Sequence, residues 1–352
     1  MVIVLGADVH KATHTFVAVD EVGRKLGEKT VKATTAGHGL ALRWARREFG
    51  EDLRWGVEDC RHLSARLERD MLAAGQEVVR VPPKLMAQSR ASARERGKSD
   101  PIDALAVARA VLREPDLPAA AHDEATRELK MLVDRREDLV AERTRQINRL
   151  RWHLHELDPE FDVPVKGFTI TRQRRRVSDW LESRPGLVAE LARDVLADID
   201  AGSGKIDGLE KRITGLVQDR YPHLLQLTGC GPLTAAKIAG ETANISRFRS
   251  EACFAMNAGV APLPVWSGNT RGRVRMSRTG NRQLNAALHR IAITQIRLDG
   301  LGQAYYRKRL DQGDSTIEAL RCLKRRLSRV VFNALHADQQ PAHTPANIPL
   351  AA

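Results

Sequence analysis

The order of short apolar segments in the first 118 residues constrains the fold more than any other feature of this sequence. Three predicted strands come first, at Val2–Leu5, Phe16–Val19 and Lys25–Val31, with a turn between the last two. Helices and strands then alternate: helix Gly39–Phe49, strand Arg54–Val57, helix His62–Ala73 and strand Glu77–Val81. A meander of strands followed by this alternation predicts a mixed α/β sheet that is covered by helices.

Two acidic residues stand at the ends of segments that otherwise look like buried strands. Asp8 follows the apolar run Val2–Leu5, and Glu58 follows the strand Arg54–Val57. Burying a carboxylate is costly unless a cation or a metal ion compensates its charge. Both positions are therefore candidates for a metal site.

A third acidic element lies in the segment Lys98–Ala104, which opens a helix. Pro101 suits the first helical turn, and an alanine-rich apolar run continues the helix. Asp100 and Asp103 are three residues apart, so they share one face of the first turn. One interpretation is a helix cap with favourable charge against the dipole. The other is that both join the two strand-end acids as oxygen ligands of two Mg²⁺ ions, a site suited to in-line displacement at a phosphodiester.

These four acids resemble the DEDD motif of a family of insertion-sequence transposases. That family is related to Piv-type DNA invertases and includes bridge-RNA-guided recombinases. Its N-terminal domain is similar to the Holliday-junction resolvase RuvC, which has an RNase H-like fold. The resemblance covers residues 3–117 and resumes over residues 224–333. It implies a RuvC-like domain in which Asp8, Glu58, Asp100 and Asp103 hold two Mg²⁺ ions, with Mn²⁺ as an alternative.

The charge of the chain independently favours a nucleic-acid partner. Its 352 residues include 57 lysines and arginines against 44 aspartates and glutamates, a formal net charge of +13. Such an excess indicates binding to nucleic acid or to another anionic surface. No apolar segment approaches the ~20 residues that span a membrane, and the apolar N-terminus lacks the basic region of a signal peptide. We therefore expect no membrane contact, and the family resemblance implies a cytoplasmic, nucleoid-associated prokaryotic protein.

The character of the sequence changes after residue 118. Apolar residues recur at near-heptad spacing over Asp123–Leu157, which predicts a long coiled-coil helix. Arginines occupy much of its other face: Arg135, Arg136, Arg143, Arg145, Arg149 and Arg151. Two compatible interpretations are a solvated helix face and a dimerising hairpin that tracks phosphates. The densest basic cluster follows at Arg174, Arg175 and Arg176, a candidate nucleic-acid contact.

Further helices are predicted downstream of this cluster. Leu187–Ile199 and Ile206–Val217 form two of them, joined by a glycine-rich segment. Gly229 and Gly231 then precede a helix predicted at Leu233–Ala239. Two such glycines let backbone N–H groups approach a phosphate, as in a helix-hairpin-helix module, whereas an ordinary helical connection needs only one. Both glycines are therefore candidate nucleic-acid contacts.

A lone serine, Ser267, lies in a loop rich in proline and glycine. Taken alone, a Ser-Gly pair in such a loop indicates a turn, and no neighbouring histidine or lysine is placed to activate the hydroxyl. The family resemblance implies another role, because Ser267 matches the catalytic serine of the family's C-terminal domain. Family members commonly carry two adjacent serines there, whereas the first position here is Trp266. Nearby arginines are either solvated or form a phosphate clamp: Arg271, Arg273, Arg275 and Arg278.

These observations predict a chain of several parts. A RuvC-like DEDD domain occupies residues 1–118, a helical and coiled-coil assembly region residues 119–222, a mainly α-helical domain with the serine residues 223–336, and a disordered tail residues 337–352. The resemblance implies transposition by cutting and rejoining DNA, with donor and target DNA, a bridge RNA and a homodimer or homotetramer as partners. Two rival hypotheses are a Mg²⁺-dependent Holliday-junction resolvase or nuclease that uses water, and a non-catalytic basic nucleic-acid-binding scaffold.

Overall fold

The computed structural model describes residues 2–58, 63–82, 85–86, 88–89, 99–114, 117–121, 123–272, 274–276 and 280–339. The chain divides into two units, each made from two separate segments. The first comprises Met1–Asp123 and Ala243–Asn285, and the second comprises Glu124–Thr242 and Ala286–Ala352. The domain limits expected from the sequence at residues 118, 222 and 336 stay predictions.

The first unit contains a five-stranded mixed sheet. Its strands are β1 (Ile3–Val9), β2 (Thr13–Val19), β3 (Lys25–Lys32), β4 (Leu53–Glu58) and β5 (Glu77–Val81), in the spatial order β3-β2-β1-β4-β5. β1, β2 and β3 pair antiparallel, whereas β4 runs parallel to β1, and β5 runs parallel to β4. The predicted mixed sheet is confirmed, and this strand order is that of an RNase H-like fold.

Helices cover both faces of the sheet. Residues of α1 (Thr35–Phe49) and α2 (Ala65–Ala73) share an apolar core with Phe16 and Trp55. Residues of α3 (Asp100–Arg113) share a second core with Val4 and other strand residues of the opposite face. Odd-numbered residues of β1 belong to the first core, so its even-numbered residues, including Asp8, lie on the face that α3 covers.

The remainder of the chain is mostly helical, as predicted. In chain order it contains α4 (Glu124–Leu157), α5 (Thr171–Glu182), α6 (Leu187–Arg220), α7 (Pro222–Leu225), α8 (Pro232–Thr242), α9 (Glu251–Asn257), strands β6 (Pro262–Pro264) and β7 (Val274–Met276), α10 (Arg282–Arg297), α11 (Leu301–Asp311) and α12 (Thr316–Gln339). Among the described residues, no helix is long and apolar enough to cross a membrane.

The helix α6 corrects the predicted break between two shorter helices. Gly202 and Gly204 lie inside one continuous 34-residue helix. This helix packs antiparallel to α4, where Arg136 is 2.5 Å from Glu210 and the Arg143 guanidinium donates to Ser203 Oγ at 3.2 Å. Tertiary contacts of this kind outweigh the weak helix propensity of glycine. Whether the pair forms a coiled coil stays a prediction.

Two other helix ends also differ from the sequence prediction. α8 continues through Gly240 to Thr242, because Gly240 allows a close approach to α4: a Cβ at this position would lie 2.9 Å from Lys130 Cα. α12 continues to Gln339, so residues 337–339 of the expected disordered tail are helical. The rest of that tail lies outside the described residues.

Candidate metal centre

Asp8 is the buried centre of the candidate site. It lies inside β1, one residue before the strand ends at Val9, rather than after the strand as the sequence suggested. Only 8% of the residue is exposed. The neighbouring Gly6 has no side chain on the same face, and the Ala104 carbonyl oxygen of α3 would lie only 2.1 Å from a Cβ built there. The first turns of α3 therefore lie directly on the strand that carries Asp8.

Asp100 and Asp103 are brought to this place by the N-terminal turn of α3. Asp103 is buried, with 9% exposed, and its backbone N–H donates to the Ser99 carbonyl at 3.0 Å. The N-cap residue of α3 is Ser99, whose side chain makes no capping hydrogen bond. Asp100 is the first helical residue, its side chain is 52% exposed, and it faces His10. Asp100 is therefore not the capping residue that the alternative interpretation required.

His10 joins the two aspartates and was missed by the sequence analysis. Its Nε2 lies 3.0 Å from Asp8 Oδ2 and 3.5 Å from Asp100 Oδ1. One ligand atom from each of Asp8, His10 and Asp100 lies within 4.8 Å of the other two. The signal that could have found it is strand alternation, because residue 10 is two positions after Asp8 and so falls on the same face.

The electrostatics of the site indicate an excess of negative charge. Burial raises the pKa of Asp8, and the nearby Asp103 and Asp100 carboxylates raise it further, while His10 opposes them by attraction and a hydrogen bond. A divalent cation would relieve this repulsion. Carboxylate oxygens with one imidazole nitrogen are a donor set that divalent metals accept. The residues present therefore fit a metal ion.

Glu58 lies at the same end of the sheet as Asp8, where β1 and β4 terminate. It is the last residue of β4, and the preceding Val57 is in register with Ala7 of β1. The next residues along these two parallel strands are Asp8 and Glu58, which therefore lie side by side on the opposite face from Ala7 and Val57. That face is the one covered by α3. It is partly buried and is not in the three-residue cluster found among the described residues.

The serine loop belongs to the second segment of the same unit. β6 and β7 pair antiparallel, with Pro264 opposite Val274, and Ser267 is an exposed residue of the connection between them. Gly268 follows with a φ of 44°, a left-handed conformation that suits glycine. Trp266 is 50% exposed. Arg271 is exposed, whereas Arg273 and Arg278 lie outside the described residues.

The basic cluster on α5 has two different kinds of arginine. Arg174 is buried, is paired with Asp200, and donates to the Phe168 carbonyl at 3.1 Å. Its guanidinium therefore serves the fold, which corrects its assignment as a nucleic-acid contact. Arg175 and Arg176 are exposed, and the Arg176 guanidinium lies 5.2 Å from the ring centre of Phe161. A nucleic-acid role for these two stays a prediction.

The arginines of α4 are also of two kinds, those that form bonds within the fold and those that are exposed. Arg136 and Arg143 are bonded to α6, as described above, and Arg151 donates to the Val163 carbonyl at 3.3 Å. Three others are exposed and free to face a polyanion: Arg135, Arg145 and Arg149. The solvated-face interpretation thus holds for only part of the helix.

The two candidate glycines before α8 also differ. Gly229 has a φ of 87°, and a Cβ there would lie 2.9 Å from Thr294 Cβ, so the fold itself requires this glycine. Gly231 has open space around its Cα and is exposed at the start of α8. Gly231 is the more exposed of the two glycines. The helix-hairpin-helix interpretation of this segment stays a prediction.

Comparison with known families identifies the class of protein that this fold and acidic site define. Residues 5–159 match the model of the DEDD domain of IS110, described as a transposase, and residues 221–307 match the model described as "Transposase IS116/IS110/IS902 family". The chain is a transposase with a DEDD-type acidic site. It belongs to the IS110/IS116/IS902 family of insertion elements, as the resemblance in the sequence implied.

Relatives from other insertion elements extend over nearly the whole chain. An uncharacterized 44.8 kDa protein of insertion element IS116 from Streptomyces clavuligerus is 29% identical and covers 94% of this chain and 94% of its own length. An uncharacterized 42 kDa protein of insertion element IS900 from Mycobacterium paratuberculosis is 28% identical, over 97% of this chain and 98% of its own length.

Solved structures of RuvC from Thermus thermophilus are more distant. The structure in complex with a Holliday junction substrate is 18% identical over 31% of this chain and 92% of that chain, with a TM-score of 0.26. Another RuvC structure from this organism is 17% identical over 34% of this chain and 99% of that chain, with a TM-score of 0.28. Scores this low do not bear on the activity of this chain.

Proposed function

We propose that this transposase cuts and rejoins DNA with a metal-bound acidic centre and a serine nucleophile. The observation that carries the proposal is the convergence of Asp8 and Asp100, from β1 and α3, on one cluster beside Asp103 and Glu58. Asp8 and Asp103 are buried, and a buried carboxylate costs stability unless it is compensated, so a fold alone does not need this group of acids. Family membership makes DNA the natural substrate.

In this proposal Asp8, Glu58, Asp100 and Asp103 hold two Mg²⁺ ions, with Mn²⁺ as an alternative. When bound, the ions would supply Lewis-acid stabilisation of the charge that develops on the phosphate. The sheet and α3 fix the relative positions of the carboxylates before the substrate arrives, which lowers the cost of ordering the site. Asp8 lies within the central strand of the sheet.

Ser267 is the proposed nucleophile. Its Oγ forms a bond to phosphorus as the bond from phosphorus to one DNA oxygen breaks, and the serine proton leaves to solvent while the released DNA end gains one. The product is a phosphoserine that retains the energy of the phosphodiester. A DNA hydroxyl can then attack this phosphoserine, which restores the serine and reseals the strand. Water in place of serine would give only a cut.

Positive charge is the proposed source of affinity for the nucleic acids. The exposed arginines on α4, together with Arg175, Arg176 and Arg271, are accessible to donor DNA, target DNA and a bridge RNA. Base pairing with the RNA would supply the sequence specificity that phosphate contacts do not. The long helices α4 and α6 would assemble a dimer or tetramer.

The central test is a search for the covalent intermediate. With Ser267→Ala we expect recombination and the protein–DNA adduct to disappear while the folded stability barely changes, because Ser267 is exposed. Mass spectrometry of digested reaction mixtures should find a nucleotide on the peptide that contains Ser267. Asn269→Ala, in the same loop, is the matched control and should keep both. Recombination by Ser267→Ala at the wild-type rate would contradict the proposal.

The rival nuclease hypothesis predicts a different result in the same experiment. Cleavage would continue in Ser267→Ala, no adduct would form, and the denaturing gel would show free cut ends. The scaffold hypothesis predicts that Asp100→Asn and removal of Mg²⁺ leave every measured activity unchanged. Mixing Asp100→Asn with Ser267→Ala adds one distinction. Recovery of recombination in the mixture would mean that one subunit's serine works with another subunit's carboxylates.

A further inference from the structure

His10 is placed like a ligand rather than like an incidental neighbour. Its backbone N–H donates to the Thr13 carbonyl at 3.0 Å, which fixes the tight connection between β1 and β2. The side chain lies over the face of the sheet that α3 covers, and its Nε2 is close to the carboxylates of both Asp8 and Asp100. A single nitrogen within 3.5 Å of carboxylates from two elements occupies the position that bridges them.

The spacing of these atoms matches one metal ion. Ligands at ~2.1 Å from a cation stand about 3 to 4 Å apart, depending on the angle between them. The three ligand atoms of Asp8, His10 and Asp100 lie within 4.8 Å of one another. Only small side-chain shifts would bring all three to a common ion. A neutral imidazole nitrogen is a frequent ligand of transition metals and an uncommon one of Mg²⁺.

We propose that His10 is a nitrogen ligand of this metal centre and biases it towards Mn²⁺ or a similar transition metal over Mg²⁺. This inference rests on one part of the proposed function, namely that the acidic centre binds a divalent ion, and it does not depend on the serine nucleophile. The alternative is that His10 only hydrogen-bonds to Asp8 and remains outside the coordination sphere. The two arrangements differ in whether nitrogen is bonded to the metal, which is directly measurable.

The experiment uses the full-length protein with Mn²⁺ as the probe. Histidine labelled with ¹⁵N gives a nitrogen coupling in the pulsed electron paramagnetic resonance spectrum when an imidazole is bonded to Mn²⁺. We expect the coupling in the wild type and its loss in His10→Asn, whose amide oxygen replaces the nitrogen. His155→Asn is the matched control because His155 is an exposed histidine on α4. Mn²⁺ affinity should fall in His10→Asn by more than the roughly 10- to 100-fold that loss of an outer-shell partner costs, whereas Mg²⁺ affinity should change much less.

The outcomes separate this inference from the proposed function. A nitrogen coupling that is lost in His10→Asn and retained in His155→Asn supports the assignment. Mn²⁺ that binds in the wild type, is lost in Asp8→Asn and shows no nitrogen coupling overturns the role of His10 and leaves the acidic centre standing. Absence of any saturable Mn²⁺ or Mg²⁺ binding overturns both. Unchanged urea unfolding midpoints exclude misfolding as the cause.

Discussion

Gly6 and Gly56 lie directly opposite each other on the parallel strands β1 and β4, beneath the helix α3. A Cβ on Gly6 would lie 2.1 Å from Ala104 O and 2.4 Å from Ala108 N, and one on Gly56 would lie 2.5 Å from Val111 Cγ2. The pair thus forms a flat strip at the middle of the sheet. Because neither glycine has a side chain, α3 can pack closely against the sheet here. The distance between α3 and the sheet in turn sets the position of the two aspartates at the start of that helix.

We expect Gly6→Ala to push α3 away from the sheet and to damage both stability and cleavage. The added methyl group meets backbone atoms, which cannot rotate away, so the loss should be about 1–3 kcal/mol or more of unfolding free energy. Gly56→Ala meets a side chain and should cost less. Urea unfolding and a strand-cleavage assay measure the two effects.

The control for these variants is Gly215→Ala on the helix α6. No heavy atom outside its own helix lies within 4 Å of a Cβ built at Gly215, so alanine should be neutral or should stabilise by up to ~1 kcal/mol. Normal stability and cleavage in Gly6→Ala would mean that α3 does not need this close approach.

Asp8→Asn should separate stability from activity. Burial and the neighbouring carboxylates raise the pKa of Asp8, so its ionised form opposes folding, and this cost is fully present once the pH is above the folded-state pKa. In a chelator at pH 7 the Asn variant should therefore melt at a higher temperature than the wild type. With metal restored, the wild type should cleave DNA and the Asn variant should not.

Metal addition provides the second half of that test. The wild type should gain about 2.7 kcal/mol of unfolding free energy when the metal is present at 100 times its Kd, and Asp8→Asn should gain almost nothing. Thermal unfolding with and without Mg²⁺ or Mn²⁺ measures this difference. An equal shift in both proteins would place metal binding elsewhere.

His14 should make the first unit sensitive to acid. It is 2% exposed, its ring stacks 5.1 Å from that of His38, and the Nδ1 of His38 is 2.5 Å from Asp70 Oδ2. Burial, followed by repulsion from His38, lowers the pKa of His14 from 6.5 to about 4. The unfolded chain therefore accepts a proton that the folded protein resists. The resulting stability is complete above pH ~6.5 and falls by up to about 3 kcal/mol towards pH 4.

Urea unfolding at pH 7, 6 and 5 tests this dependence. His14→Gln should be less stable at every pH because packing is lost, but its stability should fall less steeply between pH 7 and 5. His155→Asn, with an exposed histidine removed, should keep the wild-type slope. An unchanged slope in His14→Gln would show that other groups carry the acid sensitivity.

Adjacent arginines on α5 should respond differently to substitution. Arg174→Gln breaks a buried cluster of hydrogen bonds and should cost about 1–3 kcal/mol of stability. Arg175→Gln should leave stability unchanged. If Arg175 contacts a phosphate, the slope of the logarithm of the DNA-binding constant against the logarithm of the salt concentration should become shallower by about one unit. Binding isotherms from 50 to 300 mM salt measure the slope. A DNA-binding defect in Arg174→Gln at full stability would reverse our assignment.

The sequence predicted the sheet well because its strands are short, most of them are apolar, and turn residues separate them, although β3 is largely polar and exposed. The acids at strand ends could also be found, since a carboxylate in an apolar segment stands out. His10 could not be weighed in the same way, because it follows the strand in a polar segment where histidine is unremarkable. Strand alternation places His10 on the same face as Asp8, but only the position of α3 brings Asp100 to it.

Long-range packing explains the other differences. Gly202 and Gly204 predict a break when α6 is considered alone, and only contact with α4 keeps the helix continuous. Arg174 and Arg175 are indistinguishable in the sequence, since both are arginines in a basic run. Their roles differ because one faces the interior of the second unit and the other faces solvent.

The division of the first unit into two segments has a consequence for how the protein is made. Its sheet is complete in sequence by Asp123, but the segment that carries Ser267 ends only at Asn285. At ~5–20 residues per second, the ribosome needs roughly 10–30 s to synthesise the intervening chain. During that time the nascent protein has its carboxylates but no serine hairpin. On the proposed mechanism a chain that stops before Ser267 has no serine of its own with which to form a phosphoserine with DNA, although its carboxylates are already in place.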